Sequence, residues 1–348
     1  MTAAGRVRLW RVYLECHPCG SGAFVLDERL GVDGLLSRQA RRLVCLAGAS
    51  WSYDRSAAHL KELCGIALSD TTIRQVCQAE GQQMRRWQQE APEASQAFRA
   101  ARGDIELSSD GTCVHTTGGW REMRLTIFAK RHRGAPATPQ AWAERDLPAP
   151  HARVAFAAIR TSESLGPQWR RRAARLGIRR PGEITVLADG ARWIWKQVER
   201  CLPGAQGVLD IYHASEHLYQ AAQAIYGEQA AVEHWVAARR QSLLRRGSEA
   251  LMEELAAERR ALRSPRKRAS LESLIAYFQP HRAHTCYAER LAAGQPIGSG
   301  LVEGGCKHII GRRLKQTGAR WRPRRVDRMA ALCCILHSDQ WETYWNAA

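Results

Sequence analysis

The stretch ITVLADGARWIWKQVERCLPGAQGVLDIYH, residues Ile184 to His213, contains two short apolar runs on either side of a segment with helical spacing. We predict strands over residues 184–188 and 208–212, and a helix over residues 191–201 between them. Alternation of strand and helix is typical of an α/β domain. This stretch therefore indicates the fold class before any other part of the chain is considered.

The residues before this stretch contain further strand patterns. We predict three successive strands over residues 105–109, 121–130 and 153–160, with the first two joined by a turn at Gly118-Gly119. A basic helix over residues 164–176 then leads into the quoted stretch. Three strands followed by alternating helix and strand is the order of the ribonuclease H-like fold, which other α+β domains can share. We therefore predict a mixed α+β or α/β fold of the ribonuclease H-like type.

The rest of the chain divides where its composition changes. Long, highly charged sequence with helical spacing predicts an all-helical insertion over residues 228–293. This insertion separates the first part of the predicted catalytic core, residues 103–227, from its last part, residues 294–348, which carries a glutamate on a basic helix. Residues 51–102 predict a small helix-turn-helix region with a connector, and residues 1–50 predict a partial zinc-ribbon-like segment.

Two features of the N-terminal part indicate ligand binding. Cys16 and Cys19 form a C-x-x-C pair of the kind that binds zinc, but no second C-x-x-C supplies the other two ligands of a structural zinc site, so zinc stays open. In the helix-turn-helix region, Ser69 is placed to cap a second helix that would present Arg74 and Gln75 to a DNA groove. A helical hairpin that contacts no DNA explains the same spacing.

The composition favours a polyanionic partner. The chain has 52 Lys and Arg against 34 Asp and Glu, a net charge of +18 over 348 residues, which favours double-stranded DNA. A solvated basic surface is the alternative. Eleven cysteines without an N-terminal leader predict reduced thiols in the cytoplasm. No apolar run approaches the roughly 18 residues needed to span a bilayer, so no membrane is expected as a partner.

Three acids in the runs LSSDGT, VLADG and GSGLVEGG lie at the ends of predicted elements. They are Asp110, Asp189 and Glu303. An acid that follows a strand lies at the carboxyl edge of the sheet, where open α/β sheets bind ligands. Carboxylates there can bind two divalent cations, Mg²⁺ or Mn²⁺, which suit phosphodiester cleavage. The alternatives are a turn residue at Asp110, a helix cap at Asp189 and a first-turn acid at Glu303.

A basic segment without any acid follows Glu303, between Gly304 and Val326. Its cations would neutralise phosphates, and its indole is suited to stack on a base. The residues of this segment that we predict to bind DNA are Arg312, Arg313, Lys315, Arg320, Trp321, Arg322, Arg324 and Arg325. A basic helical face that contacts only solvent is the alternative.

The runs LSSDGT, VLADGARW, VLDIYHASEHL and IGSGLVEGGCKHIIGRRLKQTGARW together resemble a DDE transposase of a bacterial insertion sequence, of the ISKra type and more distantly of the Mutator-like group. The resemblance spans nearly the whole chain. It implies a catalytic triad of Asp110, Asp189 and Glu303 that binds the two cations. It also implies cleavage at element ends and joining of the freed 3′-hydroxyl to target DNA, in a nucleoid-associated bacterial protein.

The resemblance further implies residues that support the triad. Asp210 and His213 fit the C/D-x-x-H motif of Mutator-like transposases, and His217 lies beside His213 on the same helix face. Some relatives place a Lys or Arg about seven residues after the glutamate, where this chain has Ile310. Lys307, one helical turn beyond the glutamate, is expected to take that place.

Two further implications concern the N-terminus and the partners. Relatives usually have another C-x-x-C upstream of the pair at Cys16 and Cys19, which predicts that the zinc-ribbon-like segment of this chain is shortened. The expected DNA partners are the terminal inverted repeats of the element and a target duplex. Because two ends must be brought together, a homodimer or larger assembly is expected in the DNA complex.

Three other functions remain as alternatives. A nuclease of the same fold would cut DNA without joining it, and a non-catalytic regulator would bind DNA through the helix-turn-helix and the basic charge alone. His213, Glu216 and His217 also match the H-x-x-E-H signature of some zinc peptidases. The peptidase needs a third protein ligand for zinc and leaves the net charge without a role.

Overall fold

The computed structural model describes residues 1–347, leaving out the side chains of Glu28, Arg29 and Asp33. Its strands are β1 (Tyr13–Glu15), β2 (Gly22–Phe24), β3 (Val32–Asp33), β4 (Leu36–Ser37), β5 (Asp104–Thr116), β6 (Gly119–Arg131), β7 (Ala152–Ala158), β8 (Ile184–Ala188) and β9 (Gln206–Leu209).

Its α-helices are α1 (Val25–Leu30), α2 (Arg38–Ser50), α3 (Tyr53–Cys64), α4 (Asp70–Glu90), α5 (Glu93–Ala100), α6 (Ser162–Arg175), α7 (Arg192–Cys201), α8 (Ile211–Ile225), α9 (Gln229–Ala261), α10 (Pro265–Phe278), α11 (Tyr287–Ala292), α12 (Gly300–Gly305), α13 (Arg312–Leu314), α14 (Pro323–His337) and α15 (Trp341–Ala347). Short 3₁₀ segments occur at Pro181–Glu183 and Gln279–His284, and a π-helical turn at Cys306–Gly311. None of the helices within residues 1–347 is long and apolar enough to cross a membrane.

The five long strands form one mixed sheet in the order β7-β6-β5-β8-β9. Strand β6 is antiparallel to both β5 and β7, and β8 is parallel to both β5 and β9. The mixed α+β class that the sequence predicts is therefore confirmed, and β8 has the predicted bounds.

Helices cover both faces of this sheet because successive side chains of a strand point to opposite faces. On β6 and β7, Leu125, Ile127 and Ala155 share a core with α2, α4 and α14. Phe128 and Val154, which point the other way, share a core with α5, α6 and α7. Both faces of the sheet are thus buried near its centre.

The predicted helical insertion shares a core with α8 and with the last two strands of the sheet. Helices α8, α10, α11 and α9, which is interrupted at Gly247, bury Leu218, Val236 and Phe278 together with Val208 of β9. Helix α8 contributes Leu218, Ala222 and Ile225 to this core. The insertion therefore packs beside the last strand and connects it to the helix that carries Glu303.

The predicted bounds of three strands differ notably from the structure. Strands β5 and β6 are longer than predicted and pair along their whole length, with a turn at Thr117-Gly118. Continuous cross-strand hydrogen bonds override the turn signal of Asp110-Gly111, so Asp110 lies within β5 and not at its end. Strand β9 ends at Leu209 because Asp210 begins α8 as its cap.

Helices α3 and α4 match the predicted helix pair. Gly65 follows α3 in the left-handed conformation, and the Ser69 hydroxyl accepts a hydrogen bond from the Thr72 backbone N–H at 3.1 Å, which caps α4. Helix α4 also packs along α14 and shares its core. Residues 51–102 therefore share one core with the C-terminal part of the chain.

Candidate active site

Three aspartates form a row at the carboxyl edge of the sheet. Strands β5 and β8 pair in the register of Ser108 with Leu187, so Asp110 and Asp189 stand level two residues beyond that pair. The register of β8 with β9 puts Asp210 level with Asp189 in the same way. Parallel pairing thus aligns acids that are far apart in the sequence.

The edge opens at Asp110 even though β5 continues beyond it. Strand β8 ends at Ala188, so β5 has no partner on that side from Asp110 until Trp321 pairs with it at Thr116, while β6 pairs with it on the other side throughout. The prediction that Asp110 lies at the end of its own strand was wrong. The end of the neighbouring strand produces the same opening.

Glu303 lies on α12, which packs against β5 and β6 beside this row. The close approach depends on Gly305, because a Cβ atom there would lie 2.7 Å from Ile127 Cδ1 and 2.8 Å from Leu125 Cδ2. One residue further, the Cys306 thiol donates to Asp110 Oδ2 at 3.6 Å. The π-helical turn that starts at Cys306 therefore keeps the glutamate-bearing segment against β5.

The carboxylates of this site repel one another. Burial raises the pKa of Asp110 and the charge of Asp189 raises it further, against a lowering hydrogen bond from Gly111 N–H. Burial also raises the pKa of Glu303, as does Asp210, while His213 and Lys307 lower it. Among the described side chains, no Lys or Arg forms an ion pair with Asp110, Asp189 or Glu303. The site therefore has an excess of negative charge within a basic protein.

These side chains have the chemistry that a divalent cation requires, since hard cations prefer carboxylate oxygens. They are not arranged around one point, because no three His, Cys, Asp or Glu side chains of the described residues form a metal-binding group. Asp110 Oδ1 instead accepts from Gly111 N at 2.6 Å, and Asp189 Oδ1 accepts from Ala191 N at 3.0 Å. The Asp189 contact is the helix-cap interaction considered in the sequence.

Asp210 has a different role from the other two aspartates of the row. It is fully buried, and its Oδ1 accepts from the backbone N–H groups of Tyr212, at 2.6 Å, and His213, at 3.3 Å. Its Oδ2 accepts from the backbone N–H of Ser299, at 2.6 Å, and from the Ser299 hydroxyl. Both oxygens are thus used inside the protein.

This arrangement connects Asp210 to Glu303. The Ser299 carbonyl accepts from the backbone N–H groups of Val302, at 2.9 Å, and Glu303, at 3.4 Å, so it starts the first turn of α12. The Asp210 carboxylate accepts hydrogen bonds from Ser299, the residue at which that turn begins. It therefore positions the helix that carries Glu303 and leaves no oxygen free for a cation.

His213 also contacts Glu303. Its Nε2 lies 3.8 Å from Glu303 Oε1, and its Nδ1 lies 3.3 Å from Glu216 Oε2. His217 points elsewhere, since its ring stacks on Tyr277 with centroids 3.7 Å apart. His213 and Lys307 therefore lie near Glu303, whereas the ring of His217 contacts the helical insertion. Among the described residues, no third zinc ligand joins the histidines of the peptidase signature.

Most residues predicted to bind DNA are exposed: Gln75, Arg312, Lys315, Arg320, Arg322 and Arg324. Arg74 and Arg325 are half-buried and line a cleft of about 690 Å³ between α3, α4 and the segment 316–325. Asp54 and Asp70 also line this cleft. The predicted helix-turn-helix and the basic segment therefore face each other across one groove.

Arg313 and Trp321 have an internal role instead of the predicted DNA contact. Arg313 is 4% exposed, and its Nε donates to the Gly48 carbonyl at 2.6 Å. Its guanidinium carbon lies 4.7 Å from the ring centroid of Tyr53 and 5.0 Å from that of Trp321. Trp321 is 9% exposed and donates to the Leu314 carbonyl at 3.0 Å. A base cannot stack on an indole that is already covered by protein.

The exposed aromatic group of this region is one that we did not predict. Trp120 is 67% exposed near the turn of the β5–β6 hairpin and stacks on His115, with ring centroids 5.0 Å apart. The backbone of Trp321 pairs with the same hairpin, through Thr117 N and the His115 carbonyl. The signal in the sequence was the tryptophan between Gly119 and Arg121 at a predicted turn.

The predicted zinc ligands lie far from this site in sequence, on the exposed β1–β2 hairpin. Cys16 and Cys19 are both free and exposed. Hydrogen bonds with Ser21 lower the pKa of the Cys19 thiol to about 7. The lowered pKa of Cys19 favours the thiolate form that binds metals, although no third described side chain joins the two cysteines as a ligand.

The raised pKa values predict how stability responds to Mg²⁺ and pH. A carboxyl whose folded-state pKa is raised stabilises the fold when protonated and loses that contribution as the pH rises through the raised pKa. At neutral pH, ionised Asp110 and Glu303 therefore oppose folding, and a bound cation should offset this. We expect MgCl₂ at about ten times its Kd to add about 1.4 kcal/mol and raise Tm by about 2 °C.

Differential scanning fluorimetry would measure this shift. The increment should shrink as the pH is lowered through the raised pKa values, because the protonated forms then dominate, and it should disappear in an Asp110→Asn/Glu303→Gln protein. NaCl at equal ionic strength is the control. An equal shift with NaCl would contradict specific binding at these carboxylates.

A scan of this sequence against protein-family models finds no match, and a search of curated proteins finds none either. The function proposed below therefore depends on the geometry of this chain's own residues and on the motif resemblance.

Proposed function

We propose that this chain is a DDE-type DNA transposase with a ribonuclease H-like catalytic domain, which cleaves DNA at element ends and joins the freed 3′-hydroxyl to target DNA. The observation that carries the proposal is that Asp110 and Asp189 lie level at one edge of the sheet and that the helix of Glu303 packs against β5 and β6 beside them. Three different elements supply these acids. Capping or turn formation would explain each acid singly, but would not require them to be neighbours.

The sheet supports the proposed fold. Strand β6 alone runs opposite to the other four strands of this sheet, and the order β7-β6-β5-β8-β9 puts β5, the first of the five in the sequence, at the centre. A helical insertion separates Asp189 from Glu303. Both features agree with a ribonuclease H-like domain that gathers its acids across an insertion.

In the proposed mechanism, Asp110, Asp189 and Glu303 would hold two divalent cations, Mg²⁺ or Mn²⁺. When bound, such a pair activates the attacking oxygen and offsets charge on the leaving oxygen of an in-line displacement. Asp210 would keep the turn of Glu303 in place. His213 would orient the Glu303 carboxylate and could hold a proton beside it, and Lys307 would reduce the repulsion between the acids.

The basic surface supports DNA as the substrate. Exposed arginines of the segment 312–325 face the groove with α3 and α4, and Lys315 Nζ donates to Thr112 Oγ1 at 2.9 Å, two residues along β5 from Asp110. This segment therefore adjoins both the groove and the acids. A duplex bound there would be an element end or a target, and the protein would work at the bacterial nucleoid as a dimer or larger assembly.

The decisive experiment supplies labelled DNA from the borders of the protein's own gene, with a target plasmid and Mg²⁺ or Mn²⁺. We expect new 3′-hydroxyl ends at the element border and labelled strands joined to the plasmid, and neither with EDTA. Cleaved but unjoined DNA with Mg²⁺ and with Mn²⁺ would indicate the nuclease instead. Reaction products are separated on denaturing gels.

One observation favours a non-catalytic DNA-binding regulator as the second candidate. No three potential ligands of the described residues are assembled as a metal-binding group. A regulator would bind the border DNA tightly and to the same extent with EDTA, Mg²⁺ or all three acids replaced by amides. The same assay, followed by a gel-shift measurement, separates it from the transposase.

A further inference from the structure

The N-terminal hairpin lacks a core of its own. All residues of β1 and β2 are exposed. Most of the large apolar side chains that are exposed in the described part of the chain lie within residues 7–35, among them Trp10 at 82%, Val12 at 69% and Leu14 at 56%. A two-stranded hairpin with both faces in water is marginally stable. Something is therefore needed to cover these residues and hold the hairpin.

The turn of this hairpin is shaped as a metal knuckle. The Cys16 N–H donates to the Ser21 carbonyl at 2.7 Å, and the Gly20 N–H donates to the Cys16 carbonyl at 2.8 Å. Gly20 has φ of 66°, which a residue with a Cβ rarely adopts, and it folds the chain back so that both thiols lie on the outside of the turn. The ligand pair is thus formed by the backbone before any metal binds.

This knuckle offers half of a zinc site. Structural zinc is almost always held by four ligands in a tetrahedron. Among the side chains that the structure describes, no His, Asp, Glu or further Cys joins Cys16 and Cys19. The thiols are at the surface, so ligands from another molecule can reach them.

We propose that two copies of this chain join through residues 7–35, with one Zn²⁺ bound by Cys16 and Cys19 of both copies and the exposed apolar side chains packed between them. A two-fold axis through the metal supplies two thiolates from each copy and completes the tetrahedron. Zinc displaces the thiol protons into solvent, and no oxidation is involved. This interface does not depend on the proposed catalytic function.

The same two-fold axis also brings the exposed apolar residues around the hairpin against their copies. A two-fold interface brings identical patches together, so the apolar strip of Trp10, Val12 and Leu14 meets its own copy and leaves water. Four thiolates around one Zn²⁺ carry a net charge of −2. The exposed Arg6 and Arg8, close to the hairpin in sequence, can balance that charge. A second copy therefore completes the coordination of the metal, buries the apolar strip and supplies further arginines to balance the charge.

The test uses the full chain, freed of DNA by nuclease and high salt and kept in a thiol-free reductant. We expect one zinc per two chains by elemental analysis and a dimer by light scattering, and monomers after chelation. Cys16→Ser/Cys19→Ser should be a zinc-free monomer, whereas Cys113→Ser/Cys286→Ser, which replaces two exposed cysteines elsewhere, should match the wild type. Trp10→Ser should raise the dimer Kd about tenfold or more.

Three results would overturn the proposal. One zinc per monomeric chain would mean that a single chain completes the site, and a dimer that survives both chelation and the Cys16→Ser/Cys19→Ser change would mean that another surface pairs the copies. A zinc-free monomeric wild type, even after addition of ZnCl₂, would contradict it directly. Because both cysteines are exposed, circular dichroism of the double serine variant should match the wild type and exclude unfolding as the cause.

Discussion

Replacing Glu303 by Gln is expected to lower Mg²⁺-dependent cleavage of element-end DNA by about 1,000-fold or more. The amide has nearly the same size but loses the charge that would hold a cation, and loss of about 4 kcal/mol of transition-state stabilisation corresponds to this factor. Asp110→Asn and Asp189→Asn should have effects of the same order. The measurement is the single-turnover rate of strand cleavage at saturating protein.

The control for this series is Glu342→Gln, a glutamate whose side chain is 66% exposed and pairs with Arg42 on the surface. It should cleave at the wild-type rate. All of the variants should bind border DNA as tightly as the wild type, because the exposed arginines are unchanged. A Glu303→Gln protein that cleaves within tenfold of the wild-type rate would remove Glu303 from the proposed triad.

Replacing Asp210 by Ala is expected to reduce the free energy of unfolding by about 4 kcal/mol. The change leaves two backbone N–H groups of α8, the backbone N–H of Ser299 and the Ser299 hydroxyl without their acceptor in a buried position. Each lost bond costs about 1 kcal/mol, and the loss of the α8 cap is included in that sum. Urea unfolding followed by circular dichroism measures the change.

A graded series separates this effect from general damage. Ser299→Ala removes one of the four bonds and should cost about 1 kcal/mol, and Asp210→Asn, which keeps one acceptor oxygen, should lie between the two. Because Asp210 positions Glu303, the Mg²⁺ concentration for half-maximal cleavage should rise in the same order. An Asp210→Ala protein as stable as the wild type would show that the connection to Ser299 does not hold the two segments together.

Much of the secondary structure follows from local patterns. The spacing of apolar residues predicted β8 with its observed bounds, and Ser69 caps α4 as its position before that helix indicated. Such features depend on a few neighbouring residues, whose backbone hydrogen bonds and side-chain spacing are decided within one or two turns. The mixed α+β class could be predicted for the same reason.

The sequence predicted the acids of the candidate site, but it did not predict how the sheet positions them. Asp110 was expected at the end of a strand and lies inside a long hairpin. Asp110 faces the site because β8 ends before it, and it lies level with Asp189 because of the register between β5 and β8. Register is a property of pairing between distant segments, so no local pattern contains it.

The amino-acid sequence alone established which residues carry charge, which segments form strands and helices, and which acids follow small or apolar runs. Only the tertiary structure decided that Arg313 and Trp321 are internal, that Asp210 uses both oxygens to hold Ser299, and that Trp120 is exposed. The physical reason is that burial and hydrogen-bond partners depend on segments packed from elsewhere in the chain. An arginine between two aromatic rings and an arginine facing a groove have the same letter in the sequence and differ only in what surrounds them.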